Sequence, residues 1–295
     1  MGIDARLPLP TTAGWLPAGQ LQAGDVVFSY TGYPVKVVSI QRYTPAACYK
    51  IWLKDGLTLV VDARTGIPVF DRKSKNQLHL WTRTTYRHED SYVQPLSPEA
   101  ILTWEFGWCR IPVCQPLRPP HRNLPVEPYE FARWMFDRSQ KRRRNRTDIT
   151  RELIERYPTI PTHIPEEYLF ASFEQRLAFL RGILSVRTKA FSKSNCLFKI
   201  DVADRRLARQ IQGLVESFGI KTYIVNARTN YRFRVCFKTI LRLCEDQDIP
   251  KNVNELEYRR IMQIEKIAPR ECVYIKTDDP NNTILVSEGY LGVSL

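Results

Sequence analysis

The sequence predicts a chain that is β-rich at both ends and mixed α and β in the middle. Three observations predict it. Residues 25–61 carry short apolar runs punctuated by Gly and Asp. Residues 172–219 carry two apolar stripes at helical spacing. Residues 271–295 return to strand-like runs. A length of 295 residues suffices for two domains, each with its own core.

In the first segment the runs span 25–30, 35–40, 49–53 and 57–61, and they alternate or nearly alternate. Gly24, Gly32 and the pair Asp55-Gly56 separate them, the last being a hairpin signal. This spacing predicts a small, strongly bent all-β domain. In the middle, residues 170–188 read as a helix. Ser172 is a good N-cap, and Gln175 completes a capping box. Leu177, Leu180 and Leu184 recur at helical spacing, with Ala178 and Gly182 between them. A strand follows at 196–200. Asp201 can cap a second helix with Leu207, Ile211, Leu214, Val215 and Phe218 on one face, ended by Gly219. Residues 221–225 and 231–237 predict a hairpin. Its second strand turns Tyr231, Phe233, Val235 and Phe237 to one side and Arg232 and Arg234 to the other. At the C-terminal end, two strand-like runs flank an Asp278-Asp279-Pro280-Asn281 turn.

Composition narrows the function. Hydrophobic residues make up 43% and charged residues 25%, as in soluble globular proteins. No apolar run approaches the roughly 18 residues of a membrane span, and the N-terminus is not a signal peptide. Seven cysteines without a CxxC pair, and four histidines, suggest neither a structural zinc site nor a disulfide framework. Reduced thiols, and no metal or other cofactor, are the expectation. A net charge of +13 favours a polyanionic partner, most simply nucleic acid, against the alternative of a generally basic surface. The charge concentrates at Arg138, Lys141, Arg142, Arg143, Arg144 and Arg146. Between Phe131 and Ile160, nine Lys or Arg stand against four Asp or Glu, a net of +5. Such a run can grip a phosphate backbone. A solvated loop and a docking patch for an acidic protein are the competing readings. Lys189 and Lys193 extend the basic character past the helix at 170–188, and Arg232 and Arg234 add two cations on one strand face.

Several stretches carry a more specific resemblance. The opening, 2–15 with 21–28, resembles the first block of an intein Hint domain of the phage terminase type, with Pro8, Pro10, Thr11, Gly14 and Trp15 in register. The family's splicing cysteine falls on Gly2. Residues 49–56 and 60–65 are similar to the second block, whose catalytic histidine falls on Thr65. Residues 271–295 resemble the last two blocks. There the terminal His-Asn falls on Ser294-Leu295, and the preceding block's histidine on Asn282. The resemblance thus implies a lost chemistry. An N-to-S or N-to-O acyl shift needs a thiol or hydroxyl at the first residue, and glycine has neither. Threonine cannot protonate a scissile amide near neutral pH. Without a terminal asparagine no succinimide forms. The chain also begins and ends where an intein would, the expectation for a stand-alone relic.

The middle resembles the LAGLIDADG homing endonucleases carried by such inteins. Residues 124–139 match the first motif, with a lead-in at 110–117. Ala132 and Phe136 replace the family's two glycines, Arg138 replaces the following glycine, and Asp137 falls on the metal-binding aspartate. The helix at 170–188 matches the second motif, but Ser185-Val186-Arg187-Thr188 stands where Asp-x-Asp-Gly is expected. The paired carboxylates that hold divalent cations are therefore reduced to one. Phe136 and Val186 are expected to push the two helices apart, and Asp137 and Arg187 to meet as an ion pair.

The implied architecture is an all-β Hint (intein-like) domain from residues 1–121 and 253–295. Into it is inserted an α+β LAGLIDADG-like domain at 122–252, with two pseudo-symmetric αββαββα-type halves. The implied function is that of a catalytically inactive intein-derived phage protein, retained as a basic binding module for DNA. Two alternatives stand beside it. One is a virion structural or assembly protein with other phage proteins as partners. The other is residual metal-dependent nicking through Asp137. Neither a membrane nor a small-molecule substrate is expected. The expected location is the host cytoplasm, or the virion if the role is structural.

Overall fold

The computed structural model describes residues 1–70, 93–103, 109–137, 155, 157, 159–187, 197–227, 232–239, 241, 243 and 258–295. The chain divides into two compact units, Met1–Leu117 with Asn252–Leu295, and Arg118–Lys251. In chain order the first unit opens with β1 (Ile3–Asp4), β2 (Pro8–Thr11), β3 (Gly14–Pro17), β4 (Val26–Phe28), β5 (Pro34–Tyr43), β6 (Cys48–Leu53), β7 (Thr58–Asp62), β8 (Ile67–Phe70), β9 (Val93–Leu96), α1 (Pro98–Thr103) and β10 (Arg110–Pro112). The second unit holds α2 (Pro128–Phe136), α3 (Glu166–Leu169), α4 (Phe173–Arg187), β11 (Leu197–Val202), α5 (Arg205–Glu216), β12 (Thr222–Ala227) and β13 (Arg232–Lys238). The chain then returns to the first unit with β14 (Tyr258–Ile267), β15 (Cys272–Thr277), β16 (Thr283–Val286) and β17 (Leu291–Ser294).

Both ends of the chain build one sheet. Its ten strands run in the order β10-β14-β6-β7-β1-β15-β5-β4-β2-β3. Strand β14 pairs antiparallel with β6, and β15 lies between β1 and β5. The core mixes the two segments in the same way. Ile3, Leu9, Val27, Ile51, Leu59 and Val61 are buried together with Val273, Ile275, Ile284 and Val293. The Asp55-Gly56 hairpin joins β6 to β7, and Gly56 adopts φ 86°, a conformation glycine takes at no steric cost. Asp55 also receives the buried guanidinium of Arg259, which donates in addition to the Gly289 carbonyl at 3.1 Å. Removing one partner of such a buried pair costs about 3–5 kcal/mol. The C-terminal segment holds three strands where the sequence suggests two runs. Past the turn at Asp279, β16 pairs with β17 instead of returning along β15.

The second unit contains one described sheet, antiparallel in the order β11-β13-β12. Helix α4 starts with a reciprocal cap: the Ser172 amide donates to Gln175 Oε1 at 3.1 Å, and the Gln175 amide to Ser172 Oγ at 3.4 Å. Helix α5 corrects the sequence reading of its start. Asp204, not Asp201, caps it, accepting from the Leu207 amide at 2.8 Å. Asp201 belongs to β11, where period-two alternation sends Phe198, Ile200 and Val202 inward and Asp201 outward. Ile211, Leu214 and Val215 face the core, and Gly219 ends this segment at φ 72°. Phe131, Tyr168 and Phe179 cluster at the centre, with the first two rings stacked at 4.3 Å. The implied second sheet of a LAGLIDADG-like pair falls between α2 and α3, in residues that lie largely outside the described ones.

Candidate functional site

The turn that follows β7 reaches both ends of the chain. The Thr65 amide donates to the Asp62 carbonyl at 3.1 Å, which folds the chain back. Thr65, fully buried, then meets Gly2: its Oγ1 accepts the Gly2 N–H at 2.8 Å and donates to the Gly2 carbonyl at 2.7 Å. That carbonyl also accepts from the Asp62 amide at 2.9 Å. The next residue, Gly66, exchanges two hydrogen bonds with Ser294, at 3.0 and 2.8 Å. Leu295 in turn donates its amide to the Asn282 carbonyl at 3.1 Å and accepts Asn282 Nδ2 at 2.8 Å.

All five positions matched to splicing residues therefore lie along one hydrogen-bonded path. Asn282 anchors its end. It sits at φ 44°, a left-handed conformation that asparagine tolerates. Its Oδ1 accepts from the Thr277 amide and hydroxyl at 2.9 and 3.1 Å, and its Nδ2 also donates to the Ile275 carbonyl at 3.1 Å. At the path's other end there is no nucleophilic atom on residue 2.

The space beside Gly2 is already filled. A Cβ on Gly2 would lie 2.6 Å from the Tyr43 hydroxyl and 3.0 Å from the Val273 carbonyl oxygen. The Tyr43 hydroxyl donates a short hydrogen bond to Asp62 Oδ2, and the Arg64 amide donates to Asp62 Oδ1 at 2.9 Å. Burial, and then the Asp62 carboxylate, push the Tyr43 phenol far above its ordinary value. Burial alone would raise Asp62, but the Tyr43 hydroxyl and the Arg64 amide outweigh it and hold this carboxyl below the ordinary range. Sequence reasoning missed Tyr43 and Asp62. Each occupies an ordinary strand position, and only folding brings them to Gly2.

In the second unit, α2 and α4 cross closely. A Cβ on Gly182 would lie 2.8 Å from the Ala132 Cβ and closer still to the Tyr129 carbonyl oxygen. The separation expected from Phe136 and Val186 is thus not seen at this crossing. Phe136 is buried in the unit's aromatic and aliphatic core. Asp137 caps the end of α2, and Arg187 is the last residue of α4. Each stands five residues beyond its helix's crossing residue, Ala132 or Gly182. The Arg187 side chain lies outside the described residues, so its meeting with Asp137 is not described.

On the sheet, Lys199 and Asp201 of β11, Arg234 of β13, and Tyr223 and Val225 of β12 share the face opposite the core. Tyr223 and Val225 are exposed. Arg234 does point to this face, but it is engaged. Its Nε and Nη2 donate to the two Asp201 oxygens at 2.6 and 2.9 Å, which raises the guanidinium above its ordinary value. Arg232 begins β13. The expected phosphate-binding residues Arg138, Lys141, Arg142, Arg143, Arg144, Arg146, Lys189 and Lys193 all lie outside the described residues. Among the described residues no three His, Cys, Asp or Glu side chains gather as a metal site, and no helix is long and apolar enough to cross a membrane.

No protein-family model matches the chain. It is 24% identical over 257 residues to the replicative DNA helicase DnaB of Mycobacterium intracellulare. That match takes in 76% of this chain and 44% of the helicase, so the chain spans less than half of that relative's length. Among solved structures the chain is similar to the MchDnaB-1 intein, with 11% identity, 99% of each chain covered and a TM-score of 0.39. It is similar also to the zinc-bound splicing domain of the Msm DnaB1 intein, with 10% identity, 99% of each chain covered and a TM-score of 0.37. A variant gp41-1 intein gives 8% identity, coverage of 100% of this chain and 98% of that one, and a TM-score of 0.35.

Proposed function

We propose that the chain is an intein-type scaffold that no longer splices, and that its inserted LAGLIDADG-like unit serves as a basic module for binding DNA. The observation that carries this reading is the path joining Gly2, Thr65, Ser294 and Leu295. A splicing scaffold must bring its two ends together, and these ends meet at one turn. Yet the path offers no thiol at residue 2, no imidazole at 65 and no carboxamide at 295. The acyl shift then lacks its nucleophile and its acid. With Tyr43 filling the space beside Gly2, the fold accommodates the loss instead of leaving a gap.

The second unit supports a parallel reading. Its tight helix crossing at Gly182 and Ala132 keeps the close approach that a LAGLIDADG pair requires. Its acid pair is reduced to Asp137, with Arg187 at the matching place. One carboxylate does not hold two cations for in-line hydrolysis. What remains is charge: the net of +13, the run from Arg138 to Arg146, and the Lys199 and Tyr223 face, on which Arg234 is held by Asp201. Cations interleaved with an exposed aromatic suit a phosphate backbone.

The test is binding of the purified chain to a labelled short duplex across a salt series. An affinity that falls with salt, with a log–log slope of about −4 or steeper for roughly five neutralised phosphates, is expected. Absence of binding at low salt would remove the DNA-binding half of the reading. Magnesium-dependent nicking lost in Asp137→Ala would overturn the claim of inactivity.

A further inference from the structure

The two ends of the chain carry a pair of thiols that none of the functions above uses. Cys48 Sγ and Cys272 Sγ lie 3.8 Å apart, both fully buried, and they are 224 positions apart in sequence. The fold explains the proximity. Cys48 stands opposite Ile267 at the end of β14. The chain turns the corner at residues 268–271 and re-enters the sheet at Cys272. The thiols share a small cluster with Val60, packed against Tyr43 and Ile267.

We propose that Cys48 and Cys272 are a reversible redox pair, joined as a disulfide by a small peroxide oxidant, which covalently fastens the N-terminal strands of the first unit to its C-terminal strands. One sulfur, as a thiolate, attacks the peroxide O–O bond. It becomes a sulfenic acid and expels hydroxide, which takes up the released proton as water. The second sulfur attacks the sulfenic sulfur. The S–S bond forms, and the hydroxyl leaves with the second thiol proton as water. Two thiols are oxidised and one peroxide is reduced to two waters. The closing distance is short, and burial excludes larger oxidants. Burial, and then the neighbouring Cys48, push the Cys272 thiol up, which lowers its thiolate fraction and slows its own attack on an oxidant.

The location gives the bond a consequence. Cys48 is the register partner of Asp62 on β7, and Cys272 that of Tyr43 on β5 and of Asp4 on β1. The disulfide would therefore tie β6 to β15 across β7 and β1, the strand that Gly2 leads into, and close a loop through the whole second unit. Constraining so long a loop disfavours the unfolded state. The other described cysteines, Cys109, Cys114 and Cys236, are also buried.

The test uses the full chain, folded, treated with hydrogen peroxide, quenched with an alkylating agent and mapped by mass spectrometry without reductant. A linked Cys48–Cys272 peptide pair, lighter by two hydrogens and reversed by dithiothreitol, is expected. A thermal midpoint several degrees above that of the reduced protein should accompany it. Cys48→Ser and Cys272→Ser should each lose the link and the shift. Two alkylated thiols after oxidation, or sulfinic acid without a link, would overturn the proposal. So would a link that forms only when oxidation is done in denaturant. The map of the unmutated protein decides the matter even if a variant fails to fold.

Discussion

One hydroxyl, Thr65 Oγ1, holds both backbone polar groups of Gly2, accepting its N–H at 2.8 Å and donating to its carbonyl at 2.7 Å. The position matched to a catalytic imidazole thus makes structural bonds to the position matched to a nucleophile. Both residues are buried and hydrogen-bonded to each other.

Thr65→Val keeps the shape and removes both bonds inside a fully buried site. The Gly2 amide loses its partner, and the expected cost is about 1–3 kcal/mol. A urea midpoint equal to that of the parent chain would count against this role.

Gly2→Ala places a methyl group against the Tyr43 hydroxyl, and the crowding should destabilise by about 1–3 kcal/mol. Removing that oxygen by Tyr43→Phe should relieve part of the strain. In a double-mutant cycle the two changes should therefore couple by at least about 0.5 kcal/mol. Additive effects would show that Tyr43 does not occupy the space beside residue 2.

Asp62 sets an acid limit. Its carboxyl sits below the ordinary range, because the Tyr43 hydroxyl and Arg64 amide outweigh burial. A depressed folded value stabilises the fold above the unfolded value and is lost as pH falls through the folded one. Stability should hold from neutral pH to about 4 and drop below it. Asp4, lowered against its burial by Arg6 and Arg270, adds to the same window. Asp62→Asn should be less stable at pH 7 and lose less on acidification. Parallel pH profiles for the two proteins would contradict this.

The Asp201–Arg234 pair restrains the sheet face. If that face meets DNA, Asp201→Asn removes a negative charge and frees a guanidinium. Affinity should rise, and the salt slope should steepen by about 0.9 for one added phosphate contact. Unchanged binding would place the DNA interface elsewhere on the second unit.

Much of the fold was legible where local rules hold without interruption. The Ser172 and Gln175 cap and the apolar stripe of α5 are such places. Strand β14 was not read, and its bulge explains why. The register shifts between Ile261 and Gln263, so buried Ile261 and Ile264 stand three apart and break the period of two. Asp201 looked like a cap because strand and helix follow one another so closely. Its partner Arg234, 33 positions away, decided otherwise. Gly2 and Thr65 drew notice only through a family resemblance. Tyr43, Asp62 and the pair Cys48 and Cys272 carry no sequence signal, because each meets its partners only when the two ends of the chain share a sheet.

The most direct measurement places the chain between two reporter domains, one fused before the N-terminus and one after Leu295, and weighs the products by mass spectrometry. A single uncleaved precursor is expected at every time point. Joined reporters, or either reporter released, would contradict the claim that this scaffold has kept its architecture and lost its splicing chemistry.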